Sequence, residues 1–397
     1  MQRPRREYGS GSISKRKDGT WTARLCIGKN ANGKPKIKAF YAKSEREVKQ
    51  KLKAYKIALA KNEVSLETKQ TVGEYMQNWL YATKQNELKP KSFDRLEQTI
   101  KNQILPKIGW YKMCQLRAAD IQKFINELKA DGLSYSTVKK AYDAMQSCFR
   151  TGVVRRELPF NPASGCVMPR KESFTNNKPE LQYYTRDEAL ALCRTAVSTY
   201  SNGKRIYRMG DAVILALNTG LRVAELLGLR WDSVSLENRK LCVERSRVLV
   251  KDRQNGGYTM LEQENGKTKS SNRIIDLNEA SCNALRSLRN ISQNDQYVLT
   301  TLEGMPMTGR YLDRMLRKIT VASGIDKVYG FHALRHTFAS QLFADGVDVK
   351  IISALLGHSD ITLTYNTYIH LINQQKLRAV TELNCGMSSY PSWSPKP

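Results

Sequence analysis

Asn218-Thr219-Gly220-Leu221-Arg222-Val223-Ala224-Glu225-Leu226-Leu227-Gly228-Leu229-Arg230-Trp231 is the stretch on which the reading of this chain turns. It follows a strongly apolar segment, 209–217, that reads as a buried helix. Gly220 is a helix stop, and a second helix begins at once. Arg222 is thereby placed near a helix N-terminus, where unpaired backbone N–H groups also face outward. That combination suits a phosphate. The window equally allows a plainer reading, a surface ion pair from Arg222 to Glu225 three residues on.

Three further stretches carry chemistry. Gly266-Lys267-Thr268-Lys269-Ser270-Ser271-Asn272-Arg273-Ile274-Ile275-Asp276 reads as a turn between two strands with lysines at its tip; in isolation it is also an ordinary solvated basic turn. Phe331-His332-Ala333-Leu334-Arg335-His336 places His332 and Arg335 on one helix face. His332 and His336 have a spacing that zinc also uses, but no Glu lies between them and no carboxylate is near, which argues against a metalloprotease-like site. A partly buried structural histidine is the plainer reading. Leu355-Leu356-Gly357-His358 is followed by Ser359 or Asp360 as a helix cap, then by Thr364, Tyr365, Tyr368 and His370. Either tyrosine alone is more often a packing aromatic than a nucleophile.

Around these motifs the chain reads as multidomain, mainly α with small β-sheets. Strands are expected at 241–244, 247–250, 258–261 and 273–277, forming a small sheet with one extended hairpin, 246–265. From Thr308 helices resume. Residues 171–184 are polar and read as a linker. Before it, 69–170 reads as helices: one through Val72, Met76 and Leu80; one from Ser92, stopped before Pro106; one over 119–128, closed near Gly132; and one capped by Ser134 or Ser136. Residues 11–59 read as three strands separated by Asp18-Gly19 and Asn32-Gly33 turns, then a helix capped by Ser44 and Glu47. The resulting division is 1–66, a small DNA-binding module; 67–172, helical; 173–385, mixed α/β; and 386–397, a mobile tail.

Charge supports a polyanionic partner. The chain has 397 residues with 65 Lys+Arg against 37 Asp+Glu, a net of +28. Residues 1–62 alone hold 18 basic and 4 acidic side chains. Such an excess points to nucleic acid. In the first module Lys15, Arg16, Lys17, Trp21, Arg24, Lys36 and Lys38 are candidate DNA contacts, with Trp21, Phe40 and Tyr41 interleaved among the cations; the plainer reading puts the aromatics in the core. Lys89, Lys91, Lys139 and Lys140 are candidates in the helical segment, and Lys267 in the hairpin. No apolar run is long enough to span a bilayer, and the N-terminus lacks a signal-peptide core, so a soluble, intracellular protein is expected. Eight scattered cysteines without C-x-x-C spacing fit reduced thiols better than zinc or a disulfide framework.

Taken in order, Arg222 in T-G-L-R-x-x-E-L-x-x-L-x-W, Lys269, His332-x-x-Arg335, Leu356-Gly357-His358 and Tyr368 resemble the active-site set of tyrosine recombinases, the lambda-type phage integrase family. The likeness covers about 173–385; residues 69–170 look like that family's core-binding domain, and 8–60 like the arm-binding domain of conjugative-transposon integrases. The resemblance implies a site-specific recombinase that integrates and excises a mobile element through a 3′-phosphotyrosine and a Holliday junction. Tyr368 is implied as the nucleophile rather than Tyr365, from the family's frame of L-G-H, Thr, then Tyr with His two residues later. Arg222 and Arg335 are implied as clamps on the phosphate oxygens, His358 as a further hydrogen-bond donor and His332 as the proton acceptor. Lys269, preferred to Lys267 by the T-K-S pattern, would protonate the leaving oxygen. No metal, ATP or other cofactor is implied. The implied partners are double-stranded DNA at crossover and arm-type sites, other copies of the chain in a tetramer through a C-terminal helix at 371–385, and an accessory excision factor. The implied location is the bacterial cytoplasm, at the nucleoid. A type IB topoisomerase-like enzyme and a non-catalytic DNA-binding regulator are the competing readings.

Overall fold

A computed structural model describes residues 12–29, 35–60, 70–174, 181–264, 272–292 and 294–369. The N-terminal 11 residues, Lys267, Lys269, His370, the expected helix at 371–385 and the tail 386–397 lie outside the described residues, and for Lys36 only the backbone is described. The chain divides into two units, 1–177 and 178–397.

The first unit opens with an antiparallel sheet, β1 (Ser12–Lys15), β2 (Trp21–Lys29) and β3 (Pro35–Ala42), in that spatial order. The Asp18 carboxylate accepts from the Thr20 N–H at 2.9 Å, and Gly19 takes the left-handed conformation (φ 83°) that closes the turn. Strand alternation then sorts the side chains. Ala23, Leu25 and Ala42 are buried with Val48 and Leu52 of the helix Glu45–Ala60, and Trp21 and Phe40 lean on the same core. Tyr41 stays half exposed, with the Arg16 guanidinium 5.2 Å from its ring. Lys15, Arg16, Lys17 and Arg24 are exposed, and Lys38 is half-buried.

The rest of this unit is helical around its own core, which includes Val72, Met76, Ile100, Ile104, Ile121, Ile125, Met145 and Phe149. Thr71 and Glu74 form a capping box at the start of Val72–Trp79. Pro90–Thr99 continues through a widened turn, Ile100–Ile104, into Leu105–Ile108. The sequence reading placed a stop before Pro106, and that is corrected. The widened turn shifts the hydrogen-bond frame so that Pro106 falls in a first turn, where its missing N–H is not needed. The helices Ala118–Ala130 and Tyr135–Val154 follow, the latter capped by Ser134. Lys89, Lys91 and Lys140 are exposed; Lys139 is exposed too but pairs with Asp143 at 3.0 Å.

In the second unit the helix Asp211–Thr219 is apolar almost all round, and Ala212, Val213, Leu215 and Ala216 are buried at its centre. Around it stand Arg186–Ala196, Glu279–Ile291, Gly309–Ala322 and His332–Ala344. The expected single sheet is two. Strands β4 (Val234–Ser235), β5 (Lys240–Val243) and β8 (Arg273–Asp276) form one, in the order β4-β5-β8. Strands β6 (Arg245–Lys251) and β7 (Tyr258–Glu264) form a separate hairpin. Both edges of β5 are occupied by β4 and β8, so the hairpin does not pair with β5. Side chains fix its root instead: Glu262 accepts from Tyr297 Oη at 2.7 Å and from Arg230 Nε at 3.2 Å, and Arg247 lies 4.1 Å over the Tyr297 ring. The helix Glu279–Ile291, capped by Asn278, was absent from the sequence reading. No helix among the described residues is long and apolar enough to cross a membrane.

Candidate active site

Two helices of the second unit end on a glycine in the left-handed conformation, Asp211–Thr219 on Gly220 (φ 60°) and Val349–Leu356 on Gly357 (φ 64°). Helix ends carry carbonyls without intrahelical partners and a partial negative charge. Here three successive carbonyls at the end of Val349–Leu356 are each taken by a different arginine. Leu355 O accepts from Arg273 Nε at 2.8 Å, Leu356 O from Arg335 Nη2 at 2.6 Å, and Gly357 O from Arg222 Nη2 at 3.1 Å. Arg335 Nη1 also donates to Gly220 O at 2.7 Å, which ties the two helix ends together.

Three guanidiniums this close repel, and a buried carboxylate offsets them. Glu225 is 5% exposed. It accepts from the Arg222 N–H at 2.9 Å and Arg222 Nη1 at 2.7 Å, and from Arg273 Nη1 at 3.1 Å and Nη2 at 2.9 Å. Burial works against its ionisation, but the hydrogen bonds and charge of Arg273, then Arg222, prevail and hold its pKa at about 2. The ion pair read from the sequence between Arg222 and Glu225 is therefore present, and it belongs to the site rather than to the surface. Arg335, 3% exposed, is brought down to about 9 by burial and then by the charge of Arg222. It remains a cation at neutral pH.

His358 lies against the same cluster. Its Nε2 is 2.9 Å from Arg335 Nη2 and its Nδ1 is 2.6 Å from Thr364 Oγ1. A guanidinium only donates, so Nε2 is the acceptor and the hydrogen sits on Nδ1, donated to Thr364. Burial, then Arg335 and Arg222, lowers the His358 pKa to about 4, which keeps the ring neutral.

Tyr368 sits on the helical stretch 361–369, entered through Asp360, whose carboxylate accepts from the Thr362 N–H at 2.8 Å. It is 1% exposed and packs with Ala339, Phe343, Ile352 and Leu356. Its hydroxyl is 2.9 Å from Nδ1 of His336, and burial raises its pKa above the ordinary tyrosine value. His336 is lowered to about 4 by burial, then His332, then Arg335. Tyr365, by contrast, is 37% exposed. His332 is exposed, with its ring edge-on to His336 at 4.8 Å, and surrounding protein bulk, then Arg335 and Arg222, pulls its pKa down.

Of the six expected catalytic residues, Arg222, Arg335 and His358 converge, His332 flanks them, Tyr368 is close by but buried, and Lys269 lies outside the described residues. The partner of the Tyr368 hydroxyl is His336, where the sequence reading expected His332. That reading also passed over Arg273 and the balancing role of Glu225. Arg273 had a signal: it is in phase with buried Ile275 on β8, while Ile274 between them is 60% exposed. Its side chain is only 7% exposed. Among the described residues no group of three His, Cys, Asp or Glu side chains is placed to hold a metal.

Each guanidinium has five N–H donors. The contacts above leave Arg335 with Nε–H and one Nη1 hydrogen, and Arg222 with Nε–H and one hydrogen on each terminal nitrogen. Such a pair, held in place by the protein, is equipped to take the two non-bridging oxygens of a phosphodiester.

The model of the phage integrase family matches residues 182–375, and that of a phage integrase N-terminal SAM-like domain matches residues 71–129. A tyrosine recombinase XerC-like protein of Caldanaerobacter subterraneus subsp. tengcongensis is 30% identical over 379 residues, covering 91% of this chain and 94% of that protein. Among solved structures, the Tn1549 transposon integrase in complex with a circular intermediate DNA is similar with a TM-score of 0.59 at 22% identity, over 78% of this chain and 99% of that one. A lambda integrase tetramer bound to a Holliday junction is similar with a TM-score of 0.55 at 16% identity, over 92% and 96%.

Proposed function

The chain belongs to the phage integrase family of tyrosine recombinases, and from that premise we propose that it integrates and excises a mobile element by cutting and rejoining DNA at specific sites. The observation that carries the reading is the convergence of Arg222, Arg335 and His358 at one helix end, beside a buried tyrosine. The transposon and phage integrases of like fold support the mobile-element substrate.

Tyr368 Oη attacks the phosphorus of a backbone phosphodiester. A bond forms from the phenolic oxygen to phosphorus, the bond to the 5′-oxygen breaks, and a 3′-phosphotyrosine and a free 5′-hydroxyl result. An ordinary tyrosine has a pKa of about 10, so the proton must be taken up as the bond forms. His336, already in contact with the hydroxyl, and His332, expected from the family frame, are the two candidate acceptors. Arg222 and Arg335 neutralise the charge that grows on the phosphate oxygens. Lys269 supplies the proton for the leaving 5′-oxygen. The bond energy is kept in the protein–DNA link, so rejoining needs only attack by another 5′-hydroxyl.

The module 1–66 is read as holding arm-type sites through Lys15, Arg16, Lys17 and Arg24. The helical domain 67–172 and the catalytic domain 173–385 are read as a clamp on the crossover site. Assembly of four copies through 371–385, help from an accessory excision factor and a place in the bacterial cytoplasm at the nucleoid complete the reading.

A nicked duplex carrying the junctions of the host element, incubated in EDTA, tests it. Wild-type protein forms a covalent adduct, Tyr368→Phe binds the duplex without forming it, and Tyr365→Phe still forms it. An adduct in Tyr368→Phe refutes the assignment, and no adduct with the wild-type protein leaves only a DNA-binding regulator. Relaxation of supercoils without exchange between two duplexes favours a topoisomerase.

A further inference from the structure

We infer that Arg273, at the start of β8, is a positioning residue of the active site, acting through Arg222. The inference rests on the reading of Arg222 as a phosphate clamp.

Arg273 makes the same two kinds of contact as Arg222. Both donate to the Glu225 carboxylate, and both cap a carbonyl at the end of Val349–Leu356. Their exposures differ: the Arg273 side chain is 7% exposed and that of Arg222 is 37% exposed. The buried arginine anchors the carboxylate, and the half-exposed one is the arginine open to a ligand. With Arg273 in place, Glu225 is held by a two-pronged contact from β8, and Arg222 takes only part of its charge. Without Arg273, the carboxylate has one cationic partner left. Arg222 is then drawn to it as a full ion pair, with fewer donors and less net charge for a phosphate. Arg273 also fixes Leu355 O, two residues before the Gly357 carbonyl that Arg222 caps, so it steadies the same helix end that orients Arg222. It touches no reacting atom in this scheme.

The test is a double-mutant cycle on the single-turnover rate of adduct formation, using the full-length protein and the nicked duplex. The variants are Arg222→Ala, Arg273→Met and the pair, with unfolding and duplex affinity followed in each. Expected is a loss of about 10- to 100-fold for Arg273→Met alone and less than about threefold when Arg222 is already alanine, the non-additivity of residues that act through one another. Arg273→Lys, which keeps the charge but not the fork, should recover part of the rate. It also serves if the methionine variant does not fold. Equal losses in both backgrounds, or no loss from either Arg273 variant, overturn the inference. If Arg222→Ala itself leaves the rate unchanged, the clamp reading fails instead, and the two failures are distinct.

Discussion

Glu225→Gln is a sharp test of how the cluster is held. The glutamine keeps the shape and loses the charge that faces Arg273 and Arg222. Glu225 and the Arg273 side chain are 5% and 7% exposed, and their contact is two-pronged at 3.1 and 2.9 Å. Removing one partner of a buried pair leaves the other charge uncompensated, at about 3–5 kcal/mol. For a unit of this size that is roughly a 10 °C fall in Tm. The molecule carries its own control. Arg186 also meets both oxygens of Asp345, at 2.7 and 2.8 Å, but through a single nitrogen, Nη2, and the two side chains are 65% and 49% exposed. Asp345→Asn should therefore cost less than about 1 kcal/mol. Thermal and urea unfolding of the two variants, side by side, provides the comparison. Equal, small losses would refute the argument that burial and the two-nitrogen fork together make the Glu225 contacts strong.

Gly220→Ala puts a methyl 2.4 Å from Phe338 Cδ1 on a backbone at φ 60°. It should cost about 2–4 kcal/mol from overpacking and left-handed strain, and slow adduct formation because Gly220 O holds Arg335; urea unfolding and single-turnover cleavage measure both. His336 and His358 have folded pKa values of about 4, below the ordinary 6.5. Their contribution is complete above pH 6.5 and is lost as pH falls toward 4, because the unfolded chain takes up protons first. Allowing for partial exposure, each is worth roughly 1–2 kcal/mol, and His336→Gln should flatten that part of the stability–pH curve. Duplex affinity should fall by about 10³–10⁵ between 50 and 200 mM salt if six to ten phosphates are contacted; a nearly flat salt titration would refute a clamp built on the +28 charge.

Local signals carried much of the fold. Ser134, Gly220 and the Asp18-Gly19 turn all act where their short-range chemistry places them. What failed was non-local. The stop before Pro106 ignored a widened turn that the surrounding core selects. The single sheet placed the hairpin strands beside β5, whose two edges are instead filled by β4 and β8, while side chains such as Tyr297 and Arg230 hold the hairpin. At the site, the family resemblance pointed to Arg222, Arg335, His358 and Tyr368, and the fold brings the first three together with Tyr368 buried close by. The sequence reading missed Arg273, which in the sequence is one more cation after a basic turn. Only its phase with Ile275 marks it as inward, and only the folded chain brings it to Glu225, 48 residues away. The Tyr368 hydroxyl likewise meets His336 rather than His332, a choice between neighbouring turns of one helix that spacing does not make.

Arg222 and the tyrosine are in opposite states of readiness. The guanidinium of Arg222, 37% exposed, is oriented by Gly357 O and Glu225, so a phosphate meets it with little reorganisation, whereas Arg335, oriented by Gly220 O and Leu356 O, is 3% exposed and has to be uncovered first. Tyr368 is held back twice. At 1% exposure it cannot reach a duplex outside the protein, and burial also raises its pKa, so the phenol is a poorer nucleophile where it lies. Moving the stretch 361–369 so that Tyr368 leaves Phe343 and His336 would lift both restraints at once. Exposure removes the burial penalty, and the two arginines then favour the phenolate. The same movement touches His358, because Thr364 on that stretch holds its Nδ1 hydrogen. Release of Thr364 frees the ring to turn, and the negative phosphate favours protonation of Nε2, which makes His358 a donor to the phosphate. On the proposed roles, nucleophile and phosphate donor are coupled through one stretch of helix, and phosphate binding without movement of that helix is expected to leave the DNA strand uncut.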